Sequence, residues 1–306
     1  MSDGKTDLIE KPMQPWEEEK KQEESPLADK VEKQYISASR ITTYGLCGEA
    51  YRRRYVEGEF RLPFTNLIKG TSFHDVAKLN NQQKIESKVD LPSDVLTDFA
   101  AQRVESRFSL GVELTKDEKE KGSSATKGQL IDIVTAGAKL YAENAHDTQP
   151  VEVERKQRLV LPEWEKDIVY IMDVETATGI KNFKFTGKKK SQNDVDVDTG
   201  LTAYCLAYFC KHGKMPEYVG FENYVAYVTP KRQELKTAYN ALRTTRASMD
   251  FQNFINRATH MLKAIDSGIF MPAPVGAWKC SDKYCEYYKD CKYINYERQS
   301  AAESEE

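Results

Sequence analysis

The chain has 306 residues and a mass of 35.0 kDa, enough for one large domain or two small ones. Its 45 Lys and Arg against 48 Asp and Glu give a formal net charge of −3, which argues against a simple basic nucleic-acid binder. Mean hydropathy is −0.67, no apolar run approaches the ~18 residues of a membrane helix, and the polar start Met1-Ser2-Asp3-Gly4-Lys5 argues against secretion.

Residues 1–34 are polar and charged, with Glu17-Glu18-Glu19-Lys20-Lys21 and the prolines Pro12 and Pro15, and are expected to be a disordered acidic tail. Residues 299–306 read the same way. The folded part is expected over 35–298. Ser37 or Ser39 can cap a first helix whose apolar stripe is Ile41, Tyr44 and Tyr51. Residues 72–148 are helical in pattern, with a charged loop near 115–128; Leu130, Ile133, Val134, Ala138 and Tyr141 share one face. From Val151 the period changes to alternation. Three consecutive strands are predicted, at Val151–Glu154, within Ile168–Val174 and over Ile180–Thr186, with Ala177-Thr178-Gly179 turning the second into the third. An apolar helix at Leu201–Phe209, a fourth strand at Tyr218–Val228 and a long helical region over Gln233–Ile269 follow. This order defines an α/β core with a helical insert.

Two constellations carry chemistry. Cys280, Cys285 and Cys291 are spaced C-x4-C-x5-C beside Pro272, Pro274 and Gly276, and Cys47 is the candidate fourth thiol. Four thiolates suit zinc or an iron–sulfur cluster, and either would staple the C-terminal segment to the first helix. Cys205 and Cys210, in the apolar helix, read as small buried hydrophobes. The second constellation is Asp173 on one strand with Asn182 and Lys184 on the next. Asn182 and Lys184 are two apart and share a face. A metal, a polarised water and a nearby cation are what phosphodiester hydrolysis needs, although a strand Asp and Lys taken alone are ordinarily surface residues.

The order of the pieces resembles the PD-(D/E)xK nuclease superfamily, in its Cas4/RecB-like, phage-type branch with a four-cysteine iron–sulfur cluster. The resemblance spans about Tyr35 to Cys291. Ile36 to Ile41, Tyr44 and Cys47 are similar to the first helix and first cluster cysteine; Gly70-Thr71-Ser72-Phe73-His74 is similar to a G-T-x-x-H segment. Asp173, Asn182-x-Lys184, Leu201-Thr202-Ala203-Tyr204 and Trp278 to Cys291 follow in family order. The resemblance implies a restriction-endonuclease-like fold: a central mixed β-sheet flanked by helices, with the insert at about 72–148 and a cluster segment at 278–291. It also implies a metal-dependent DNA nuclease, most simply an exonuclease of phage-type recombination or replication. His74, Asp173 and residue 182 would hold Mg²⁺ or Mn²⁺, with a ligand added by the Phe183 carbonyl. Lys184 would orient water, and Tyr204 would buttress it or contact DNA. Cys47, Cys280, Cys285 and Cys291 would hold a [4Fe-4S] cluster, with zinc as the alternative.

Two positions depart from the pattern. Asn182 stands where the second acid is expected, and Gly200 where a glutamine would precede Tyr204 by four. An amide brings no charge to a site that must hold a 2+ ion, so hard-cation affinity is expected to fall. A disabled nuclease, a non-catalytic DNA-binding or assembly factor on the same fold, and rescue by a neighbouring acid such as Glu175 are the three readings. Glu152 and Glu154 read as a solvated strand face or as structural groups. Arg52, Arg53 and Arg54, beside Tyr51 and Tyr55, are candidates to track phosphates while the rings stack bases. A zinc-stapled interaction module is the reading that rests on the cysteines and acidic tails alone. The expected substrate is single-stranded DNA or duplex ends, the expected location a bacterial or phage-host cytoplasm, and the acidic N-terminal tail a contact for a protein partner. Removing −4 for residues 1–34 and −3 for 299–306 from the total of −3 leaves +4 on the folded region, so the charge balance no longer opposes a nucleic-acid substrate.

Overall fold

The computed structural model describes residues 35–160, 166–274 and 276–294; the tails expected at 1–34 and 299–306 lie outside the described residues. Ile36 bridges Ile168, and the chain then turns into α1 (Ala38–Leu46). Ser37 accepts the Arg40 N–H at 3.2 Å, closing one of the donors that a helix start leaves open. Cys47 ends α1 and caps the short α2 (Gly48–Tyr51), which runs into a π-helical turn over Arg52–Val56.

Four helices follow: α3 (Thr65–Ser87), α4 (Ser93–Ser109), α5 (Lys116–Lys121) and α6 (Ser123–Asn144). Within the stretch expected as a charged loop, α5 forms because Thr115 and Glu118 cap each other reciprocally. It buries no residue, so it carries no apolar stripe for periodicity to reveal. Asn80 and Asn81 both donate to the buried Tyr141 hydroxyl, at 3.0 and 2.8 Å, and tie α3 to α6. Lys84, 1% exposed, meets Asp90 at 2.8 Å and the Ala145 and His146 carbonyls at 3.1 Å. A buried ammonium is tolerable only with such partners.

The three predicted strands become five: β1 (Pro150–Val153), β2 (Lys156–Leu159), β3 (Ile168–Ile171), β4 (Val174–Thr176) and β5 (Gly179–Thr186). β2 and β3 form their own antiparallel pair. After α7 (Gln192–Asp196) and α8 (Thr199–His212) come β6 (Tyr218–Val228) and β7 (Leu235–Thr244). The main sheet is mixed, in order β1-β4-β5-β6-β7, with β5 and β6 parallel and the other pairs antiparallel. The parallel pair requires the crossover through α8.

The helical region expected over Gln233–Ile269 is corrected in its first half. Residues 235–244 pair with β6 along their whole length, and the helix there is α9 (Ser248–Asp266). Leu235, Ala238 and Leu242 have helical spacing and helix-forming neighbours, but ten paired positions on β6 override that local preference.

Helices cover both faces. On one, α3, α4 and α6 bury Phe73, Val76, Val104, Val134 and Tyr141 against Phe183, Phe185 and Tyr224. Phe73 stacks on Phe185 with centroids 4.5 Å apart. On the other, Leu201, Cys205 and Tyr208 of α8 pack on Ile180 and Phe221, and α1 and α9 close over α8. β5 therefore sends Phe183 and Phe185 to one face, and Ile180, Asn182 and Lys184 to the face of α8.

Candidate active site

Phe73 anchors α3 in the core, and the next residue, His74, projects from the edge of that contact, its side chain 31% exposed. Asp173 lies in the break between β3 and β4. Its Oδ2 accepts the Phe183 N–H of β5 at 2.6 Å, which fixes the carboxylate against the strand bearing Lys184. His74 Nδ1 lies 3.6 Å from Asp173 Oδ1 and 4.0 Å from Glu154 Oε1. Ligand atoms of His74, Glu154 and Asp173 all lie within 4.8 Å of one another, a set of three able to hold one metal ion.

Glu154 arrives by a backbone turn. Its φ is +42°, a left-handed conformation that costs a non-glycine residue free energy. Its N–H is held by the Met172 and Asp173 carbonyls, at 3.0 and 3.2 Å. The turn ends β1 and takes Glu154 off the face that strand alternation would share with Glu152. Burial, then the Asp173 charge, push the Glu154 carboxyl up to about 7, against the pull of Lys78 at 3.4 Å.

Asn182 and Lys184 line a cleft of about 660 Å³ with Gly200 and Tyr204 of α8, Ser39 of α1 and Lys156 of β2. Lys184 Nζ sits 4.7 Å over the Phe221 ring, and no carboxylate among the described residues comes within 4.0 Å of it. Asn182 is 4% exposed, and its amide has no hydrogen-bond partner among the described residues. Burial, and next the Asp173 charge, push the Tyr204 hydroxyl well up, so it stays a proton donor beside the acid.

Glu175, considered above as a rescuing acid, does not join this group. It is buried against Lys211 at 3.0 Å and His212 at 2.8 Å. Glu152 pairs with Lys211 at 3.0 Å and Arg155 at 3.1 Å. The three arginines are also engaged. Arg52 pairs with Glu49 and Glu57, Arg53 with Glu59 and Asp290, and Arg54 with Glu286. Tyr51 is buried and packs on Tyr44 and Tyr55.

The arginine pairs dock the cysteine segment on the first helices. Arg53 lies 2.7 Å from Asp290 and stacks 4.5 Å over Tyr287, whose hydroxyl donates to the Glu59 carbonyl at 2.7 Å. Cys47 Sγ accepts the Ala50 N–H at 3.4 Å, at the start of α2. Burial raises the Cys280 and Cys285 thiols. The charges of Cys47 and Cys291 add to this at both, and Cys280 adds at Cys285. The four thiols therefore lie near enough to feel one another's charge. All six cysteines are unpaired; Cys205 is buried as expected, whereas Cys210 is exposed.

Sequence reasoning brought His74, Asp173 and Lys184 to one end of the sheet and missed Glu154. An acid at the end of an alternating strand was the available signal; the left-handed turn that aims it was not.

The mixed sheet with helices on both faces defines a restriction-endonuclease-like fold, and a histidine and two acids able to hold a metal ion lie where strands β3 to β5 meet. A family model of the PD-(D/E)XK nuclease superfamily matches residues 35–292, and the chain belongs to that superfamily. Among solved structures it is similar to a presumed exonuclease from Eubacterium rectale, at 11% identity over 91% of this chain and 97% of that one, with a TM-score of 0.42. No curated protein sequence matches significantly. No helix among the described residues is long and apolar enough to cross a membrane.

Proposed function

We propose that this protein is a divalent-metal-dependent DNA nuclease, an exonuclease of phage-type recombination or replication in the Cas4/RecB-like branch. The observation that carries the reading is the approach of His74 Nδ1 to Asp173 at 3.6 Å, with Lys184 in the adjoining cleft paired with no carboxylate among the described residues. An imidazole and carboxylates are a donor set that fits Mg²⁺ or Mn²⁺. Such an ion lowers the pKa of water and neutralises phosphoryl charge. His74 and Asp173 would hold that ion. The Phe183 N–H holds Asp173 in place. Lys184 orients the attacking water and stabilises the charge that develops on the phosphate. Tyr204 bounds the cleft and keeps its proton.

Cys47, Cys280, Cys285 and Cys291 are the thiolate set for a [4Fe-4S] cluster. Zinc is the alternative occupant of the same four thiolates. Single-stranded DNA or a duplex end is the substrate this reading assigns, and the acidic N-terminal segment is a contact for a protein partner.

The test is cleavage of labelled single- and double-stranded DNA with Mg²⁺ or Mn²⁺, after anaerobic purification. Cutting that Lys184→Ala abolishes is the expected result. Absence of cutting in both the given chain and Asn182→Asp, with the fold intact, overturns it. A second reading, a DNA-binding or assembly factor that does not cut, is favoured by Asn182 and Gly200. Robust cleavage by the given chain excludes it, and DNA binding without cleavage supports it.

A further inference from the structure

We infer that Glu154 supplies the second negative charge that holds the divalent ion, and that Asn182 faces the cleft as a neutral hydrogen-bonding group. This deepens the nuclease reading and rests on it. Three observations converge. The donor atoms of His74, Glu154 and Asp173 stand 3.6 and 4.0 Å apart across the histidine and lie within 4.8 Å overall. Ligands at about 2.1 Å from one ion stand roughly 3 Å apart when adjacent and 4 Å when opposite, so a small inward movement closes the set. Two carboxylates and a neutral imidazole sum to −2, which balances a 2+ ion without any acid at position 182.

The second observation is the backbone. Glu154 adopts φ +42° and is pinned there by two carbonyls, Met172 and Asp173. The acid-bearing break between β3 and β4 itself holds the turn that delivers the second acid, so the two carboxylates are positioned as a unit. The third is Asn182, a polar side chain 4% exposed, with no partner among the described residues and lining the cleft beside Lys184. Its amide is not among the buried polar groups left without a partner, so it reaches the solvent of the cleft and is open to a ligand or water. A neutral donor and acceptor there suits a phosphate oxygen or the attacking water.

The test is Mn²⁺ binding to the full chain, followed by loss of the free-ion electron paramagnetic resonance signal, with no DNA present. Glu154→Gln should weaken binding at least about tenfold. Glu152→Gln makes the same charge change two residues earlier, where the acid pairs with Lys211 and Arg155 away from the site, and should stay within about twofold. Asn182→Ala should keep Mn²⁺ affinity within about threefold, since it removes no charge. Circular dichroism without metal checks each fold. If Glu154→Gln does not fold, Glu154→Asp, which keeps the charge but withdraws it, should still weaken binding several-fold. Binding unchanged in the Glu154 variants but lost in Asp173→Asn overturns this inference and leaves the nuclease reading standing. No Mn²⁺ binding by the unaltered chain, or none lost on Asp173→Asn, overturns both.

Discussion

Lys184 is the residue whose surroundings are simplest to interpret. Its ammonium rests over Phe221, with no carboxylate of the described residues close enough to neutralise it. A charge left unpaired in a cleft is available for an incoming anion. Lys184→Met keeps the length and the contact with the ring but removes the charge. We expect it to lower the cleavage rate by roughly 10²- to 10⁴-fold, with unfolding midpoint and DNA affinity little changed; a rate loss matched by an equal affinity loss would contradict this. At this scale the sequence was informative where a short pattern surrounds the residue. His74 follows Gly70-Thr71, and Lys184 follows Asn182 by two on an alternating strand. Glu154 was not legible, because its position depends on one backbone torsion and on carbonyls about 20 residues away in the chain.

Between elements, close approaches decide more than propensity does. A methyl group added at Gly137 of α6 would stand 2.4 Å from the Phe185 ring of β5. Helix propensity favours Ala over Gly by about 1 kcal/mol, but the ring is buried and stacked on Phe73, so it has little room to yield. Gly137→Ala should therefore destabilise by about 1–3 kcal/mol in urea unfolding. The docking of the cysteine segment carries a pH dependence. Hydrogen bonds from Arg53, with help from Arg61, hold the Glu59 and Asp290 carboxyls below their usual range. These acids bind protons more weakly when folded than when unfolded. Their contribution is complete above the ordinary carboxylate range and is lost as pH falls through the folded values. Arg53→Gln should flatten the acid limb of a plot of urea midpoint against pH; an unchanged limb would show that the pair does not stabilise the docked segment. The element pattern from α1 to β6 was largely legible from periodicity and caps. β7 was not, since an edge strand with helix-like spacing declares itself only through its partner.

Across the whole molecule, a cluster on the four cysteines would join parts of the chain more than 200 residues apart. In a chain-entropy treatment a covalent link of that span is worth about 5 kcal/mol, and a metal cluster acts in the same sense. Anaerobically purified protein should absorb near ~400 nm. Cys285→Ser should remove that band and lower the thermal midpoint; a colourless, equally stable parent protein would argue against the cluster. The acidic stretches account for the negative total, and the +4 remaining over 35–298 is a modest attraction for a polyanion that should weaken as salt rises.

Gly48 donates its N–H to the Met271 carbonyl at 2.6 Å, and a side chain there would collide with that backbone. The first helices therefore pack against a strand of chain synthesised some 220 residues later. During translation the Gly48 contact must wait until the segment beyond α9 has left the ribosome. Contacts of such long range in sequence are slow to form, so this one is expected late in folding. Loss of the final cysteine segment by premature termination would leave the helices made first as the surface most open to proteases.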